Sequence, residues 1–156
     1  MVKQARILIV DDDDNIRKVL QTILEDEGYF VETADTAKKG MEKTENSFFN
    51  LALIDVRLPD MEGIDLLTKL QETKPKMRKI IVTGYPTLQN AVSAVNNGAD
   101  GYVLKPFDVE KILATIKDQL QKQEEEKKVS EEKIAEFIET RLKELDAEAG
   151  STSLTT

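Results

Sequence analysis

Five short apolar runs recur along the chain, each closed by polar or turn residues. They are Ile7-Leu8-Ile9-Val10, Tyr29 to Ala34, Leu51-Ala52-Leu53-Ile54, Lys79-Ile80-Ile81-Val82 and Gly101-Tyr102-Val103-Leu104. Runs of this length, rich in β-branched residues, predict buried strands. Between them the apolar positions change to helical spacing. Ile16, Val19, Leu20, Ile23 and Leu24 predict a first helix, with Gly28 at its C-cap. Residues 36–46, carrying Ala37 and Met41, predict a second, and Ile64, Leu67 and Leu70 a third that ends before Pro75. Leu88, Ala91, Val92 and Val95 stripe a fourth, stopped at Asn97-Gly98. Asp108 can cap a fifth, which bears Ile112, Leu113, Ile116 and Leu120.

Strand and helix thus alternate five times, and the strands are apolar on both faces. That pattern predicts an α/β fold whose parallel sheet is covered by helices on both sides. Right-handed crossovers make it an open, doubly wound, five-stranded sheet of flavodoxin-like order 2-1-3-4-5, with strands 1 and 3 adjacent at the switch point. The pattern changes again after Leu120. Residues 121–128 have no apolar member, which predicts a solvated helical extension or a linker. Ser130 can cap a further helix over 131–147, with Val129 and Ile134 spaced as a hydrophobic staple. Ile134, Phe137, Ile138, Leu142 and Leu145 stripe one face of that helix. The expected organisation is a domain over 1–121, a helical extension or linker over 122–150, and a disordered tail over 151–156.

Composition narrows the function classes. The net charge is −8, which disfavours direct binding to nucleic acid or an anionic membrane. Residues 121–148 hold 10 acidic and 6 basic side chains, so the extension is no nucleic-acid arm either. No stretch reads as a signal peptide or membrane span, and a cytoplasmic location is expected. With no cysteine there are no disulfides and no thiolate metal sites. With no histidine there is no Ser-His-Asp triad and no phosphohistidine of the chain's own, and a P-loop motif is absent.

The candidate chemistry sits where the strands end. In a parallel sheet every strand's C-terminal end lies on one edge, and ligands bind there at the switch point. Asp11 and Asp12 follow the first strand, Asp55 closes the third, Thr83 follows the fourth and Lys105 the fifth. Adjacent strands lie about 4.8 Å apart, so Asp11, Asp12 and Asp55 come within reach of one another. Carboxylates that close raise each other's pKa, a conflict that a divalent cation removes. All-oxygen ligands favour Mg2+, with Mn2+ possible. An ammonium and a hydroxyl beside a carboxylate nucleophile suit a metal-bound phosphoryl group. Each residue also has a plainer reading, as a helix cap, a strand terminator or a β-former. Asp13 or Asp14 is expected to cap the first helix, and both stay outside the site. Spacing does not choose between Asp55 and Asp12 as nucleophile.

The stretches ILIVDDDDNIR, LALIDVRLPDMEG, IIVTGY and DGYVLKPF resemble the receiver domain of two-component response regulators, over residues 5 to about 121. The resemblance implies that Asp55 is the phosphoacceptor, fed by a histidine kinase or a phosphotransfer protein. It implies Mg2+ held by Asp12, by Asp11 and by the backbone carbonyl of Arg57, with Asp55 completing the set. Thr83 would bond a phosphoryl oxygen, Lys105 would pair with the phosphoryl group or Asp55, and Tyr102 would be the aromatic that moves inward behind Thr83. The Lys105-Pro106 bond would be cis. Such a chain signals to a partner or an output domain rather than turning over a substrate, though it catalyses its own phosphorylation and dephosphorylation. A homodimer would use the face of helix 4, strand 5 and helix 5, or the C-terminal helix. Gly84 departs from the alanine usual in the family. A competing resemblance, to the DxD motif of haloacid-dehalogenase-type phosphatases, would make Asp11 the nucleophile and Asp13 the acid.

Overall fold

The computed structural model describes residues 5–154, with side chains described as far as residue 149. The elements run β1 (Arg6–Val10), α1 (Asp14–Asp26), β2 (Phe30–Ala34), α2 (Ala37–Asn46), β3 (Leu51–Asp55), α3 (Gly63–Leu66), β4 (Arg78–Thr83), α4 (Leu88–Asn96), β5 (Gly101–Leu104) and α5 (Val109–Leu154). All strand pairs are parallel, and the sheet order is β2-β1-β3-β4-β5, as the alternating pattern predicts. The chain divides into two compact units, one ending at Gln123 and the other beginning at Glu124.

Side chains alternate across each strand, and each face of the sheet has its own core. Leu8, Val10, Ala52, Ile54 and Ile81 pack with Ala37, Leu66, Leu67 and Ala94 on one side. Ile7, Ile9, Leu51, Leu53, Ile80 and Val82 pack with Leu20, Leu24, Ile112, Ile116 and Leu120 on the other. The caps follow the sequence. Asp13 Oδ1 accepts from the N–H groups of Asn15 and Ile16 at the head of α1, and Asp108 Oδ1 accepts from that of Glu110 at the head of α5. Gly28, beyond the α1 C-cap, has φ +96°, a conformation only glycine adopts freely. At the sheet edge remote from the strand C-termini, Gln123 donates to the carbonyls of Asn50 and Lys76, both at 2.8 Å, and this pins the first part of α5.

Three expectations are corrected. The third helix is one turn, not a run to Leu70. The Leu67 carbonyl, which would continue it, accepts instead from the buried Lys79 Nζ at 2.7 Å, and the Gln71 N–H turns to Thr44 Oγ1. The α4 stripe is not core: Leu88 is 82% exposed, Val92 49% and Val95 70%, while Ala94 is buried. Small Ala94 lets the helix lie close to the sheet with its branched residues outward. Finally, Ser130 caps nothing. It lies inside α5, because its neighbours over 121–133 are Gln, Glu and Lys, strong helix formers, apart from Val129, with no glycine or proline, and Val129 and Ile134 are both exposed. The α5 backbone runs to Leu154, and residues 155–156 of the expected tail lie outside the described residues.

Candidate functional site

The parallel strands deliver the expected residues to one edge. Asp55 is the last residue of β3 and pairs with Val82, one residue before Thr83 at the end of β4. Asp11 follows β1 directly, and Lys105 follows β5, its N–H donating to the Thr83 carbonyl at 2.7 Å. Carboxylate oxygens of Asp11, Asp12 and Asp55 lie within 4.8 Å of one another. Asp11 is buried, Asp55 half-buried and Asp12 exposed, so the group opens to solvent on the Asp12 side.

Lys105 bridges the two inner carboxylates. Its Nζ lies 2.9 Å from Asp11 Oδ2 and 3.5 Å from Asp55 Oδ1. Asp11 Oδ1 accepts from the Asp13 N–H at 2.9 Å, so protein donors hold both its oxygens. Burial pushes the Asp55 carboxyl up, and the Asp11 charge adds to that push against the pull of Lys105. Burial also works against the Lys105 ammonium, but the Asp11 hydrogen bond and the two carboxylate charges outweigh it and hold its pKa above the usual lysine value. A crowded, partly desolvated carboxylate group with one cation between two of its members is the environment a hard divalent ion relieves.

Thr83 is 1% exposed, and its Oγ1 accepts from the Tyr85 N–H at 2.9 Å, which leaves the hydroxyl proton free to be donated. Tyr102 pairs with Ile81 in the ladder, on the face that carries Thr83, and packs against the core there. Its hydroxyl is buried without a protein partner among the described residues. The guanidinium of Arg57 lies over the Tyr85 ring, 4.1 Å from its centroid, and both residues are exposed. The Lys105-Pro106 bond is cis, and so is Lys74-Pro75, for which the sequence carried no signal. At Gly84 an added Cβ would meet Lys105 Cβ at an ordinary 3.8 Å, so the alanine usual in the family would fit.

Three supporting residues escaped the sequence reading. Arg17 Nη1 donates to the Asp11 carbonyl at 2.6 Å and also pairs with Asp14, fixing the acidic loop to α1. Asp60 accepts from the N–H groups of Ala37 and Lys38, both at 2.9 Å, tying the loop after β3 to the start of α2. The bonds from Lys38 and Ala37 hold its carboxyl below the usual range. Gly63 donates to the Val56 carbonyl at 2.6 Å and leaves no room for a side chain, since a Cβ there would fall on the Asp55 carbonyl. An acidic residue just after Pro59 and an arginine one turn into α1 were the available signals. Neither signal names its partner, and those of Asp60 lie on a distant element, at Ala37 and Lys38.

Asp13 caps α1 through Oδ1, the role expected of it outside the site. The sequence profile of the response regulator receiver domain matches residues 7–117. Among curated relatives, the transcriptional regulatory protein ZraR of Klebsiella oxytoca is 35% identical over 76% of this chain and 27% of its own length. The uncharacterized transcriptional regulatory protein YkoG of Bacillus subtilis is 34% identical over 74% of this chain and 51% of its own. The chain therefore spans about a quarter to a half of these regulators. Among solved structures, a CheY-like receiver domain protein from Methanospirillum hungatei is 53% identical, with a TM-score of 0.76 over 79% of this chain and 98% of that one. The beryllofluoride-activated NtrC4 receiver domain dimer is 36% identical, with a TM-score of 0.71 over 76% of this chain and 98% of that one. The profile match covers well over half of the sequence, and the chain belongs to the response regulator receiver family.

Proposed function

We propose that this receiver takes a phosphoryl group onto Asp55 from a histidine kinase, a phosphotransfer protein or a small donor such as acetyl phosphate, and passes the change to a partner or an output domain. The carrying observation is the junction of Asp11, Asp12, Asp55 and Lys105 at one sheet edge. An oxygen of the Asp55 carboxylate attacks phosphorus, and the bond from phosphorus to the donor breaks. The donor imidazole or acetate leaves with that electron pair, the imidazole then taking a proton from water. Asp11, Asp12, Asp55 and the Arg57 carbonyl would hold Mg2+, or Mn2+ in its place, and the bound ion supplies charge neutralisation for the phosphoryl oxygens. Lys105 already bridges Asp11 and Asp55, so it can turn to a phosphoryl oxygen with little movement. Wild-type protein given acetyl phosphate and Mg2+ should gain one phosphoryl group in an intact-mass spectrum, and addition of a chelator should prevent it. Equal modification with the chelator present would overturn the metal requirement.

The Thr83 hydroxyl proton is a mobile donor at the end of β4 for the new oxygens, and Tyr102 shares its face of the sheet. Movement of these two couples Asp55 to the surface of α4, β5 and α5, where Leu88, Val92, Val95 and Leu104 are exposed. A phosphoryl group shifts that equilibrium only by its differential contact with the two states. The occupant of this surface is a downstream protein or a second copy.

The Arg57 guanidinium stacks on the Tyr85 ring, and the two follow Asp55 and Thr83 by two residues each, where they would cover a phosphoryl group on Asp55 from water. They act by steric exclusion, and the phosphorylated form should be long-lived. Replacing both by alanine should speed loss of phosphate about tenfold, a change of about 1.4 kcal/mol in barrier. A phosphate-release assay with equal decay for both proteins would remove the shield.

A further inference from the structure

The second unit is a helix with an apolar seam and nothing of its own to bury it. From Glu124 onward it consists of the later turns of α5, where Ile134, Ile138, Leu142 and Leu145 are between 44% and 57% exposed. We propose that residues 134–149 pair with the same segment of a second copy of this chain as a parallel, in-register, two-stranded coiled coil. The seam does not use Asp55, so the proposal stands or falls apart from the phosphoacceptor reading.

The heptad pattern commits to this occupant. With Ala135, Leu142 and Ala149 at the a positions, Ile138 and Leu145 fall at d, which gives an uninterrupted apolar a/d row. The same register puts Glu132, Glu139 and Asp146 at e, and Lys127, Ile134 and Arg141 at g. In a parallel pair each g residue faces the e residue five positions later on the other helix. Within the paired segment Arg141 then meets Asp146 of the second copy, so opposite charges face each other. In an antiparallel pair e faces e, and the acidic row would oppose itself. The charges therefore select the parallel arrangement, as flanking charges do in coiled coils generally. Ahead of the row, Glu124, Lys128 and Glu131 occupy the inner positions, so the zipper starts at Ile134 and not at the head of the unit. Two heptads make a weak, reversible dimer, which suits a joint whose strength adds to that of a second contact.

The chain contains no cysteine, so single introduced thiols report the geometry cleanly. In sedimentation of the full chain from about 1 μM to about 1 mM, the wild type should pass from monomer to dimer, and Leu142→Asp should stay monomeric. Under mild oxidation Leu145→Cys should cross-link to itself. An equimolar mixture of Ile138→Cys and Leu145→Cys should give both self-linked dimers and no 138–145 disulfide, because the two positions lie about 10 Å apart along a parallel pair. Arg141→Glu should weaken association about tenfold, and adding Asp146→Lys on the same chain should restore it. Asp55→Asn should leave all of this unchanged. A wild type monomeric throughout, a Leu142→Asp chain that still dimerises, or thiol linkage between positions 138 and 145 without self-linkage of 145 would each overturn the proposal.

Discussion

Replacing Gly63 with alanine should disable the site from a position that carries no chemistry. The new Cβ would overlap the Asp55 carbonyl oxygen and lie 2.8 Å from its carbonyl carbon. Backbone is all that can yield there, either the end of β3 or the first turn of α3. The Gly63 N–H bond to the Val56 carbonyl resists the second movement. Overpacking of this kind costs about 1–3 kcal/mol. The larger consequence is chemical, because the displaced residue is the proposed nucleophile. A shift of about 1 Å at a reacting group can cost about a hundredfold in rate. Phosphorylation from acetyl phosphate should slow by about that factor, while circular dichroism still reports a folded sheet. A variant that melts lower but takes phosphate at the wild-type rate would separate Gly63 from the site.

Asp55→Asn should raise the melting temperature of the metal-free protein at neutral pH. Burial and the Asp11 charge raise the folded-state pKa of Asp55 above its unfolded value of about 3.9. Between those two values the folded chain holds more protons than the unfolded one. Stability contributed by Asp55 is therefore full below about pH 3.9 and is lost as the pH climbs through the folded pKa. Each unit of elevation is worth about 1.4 kcal/mol against the native state at pH 7. The amide has no charge to desolvate, so the variant should gain at pH 7 and lose its advantage below pH 4. Thermal melts in chelator at both pH values make the comparison. A variant no more stable than wild type at pH 7 would mean that Lys105 fully compensates the carboxylate.

The sheet was legible because its strands are buried on both faces, which leaves unbroken apolar runs that end abruptly at polar residues. The site was legible for the same reason: once the strands are parallel, the residue after each one has only one edge to occupy. Side chains that reach across the fold were not legible. Lys79 takes the Leu67 carbonyl and stops α3 after a turn, an event twelve residues from where the helical pattern was read. Asp60 supplies the first turn of α2 from a different loop. In α4 the apolar stripe was real but faced outward, since periodicity shows a face without saying which side of it meets the sheet. In α5, Ser130 has the identity of a cap and the neighbours of a helix interior, and the neighbours decide.

The central claim is that Asp55, and no other carboxylate of the group, takes the phosphoryl group. Protein phosphorylated with acetyl phosphate and Mg2+ can be reduced with borohydride, which converts an aspartyl phosphate to homoserine, and then digested and sequenced by tandem mass spectrometry. The account predicts homoserine at position 55 and unaltered aspartate at 11 and 12, with no conversion in Asp55→Asn. Homoserine at Asp11 or Asp12, or conversion that persists in Asp55→Asn, would contradict it.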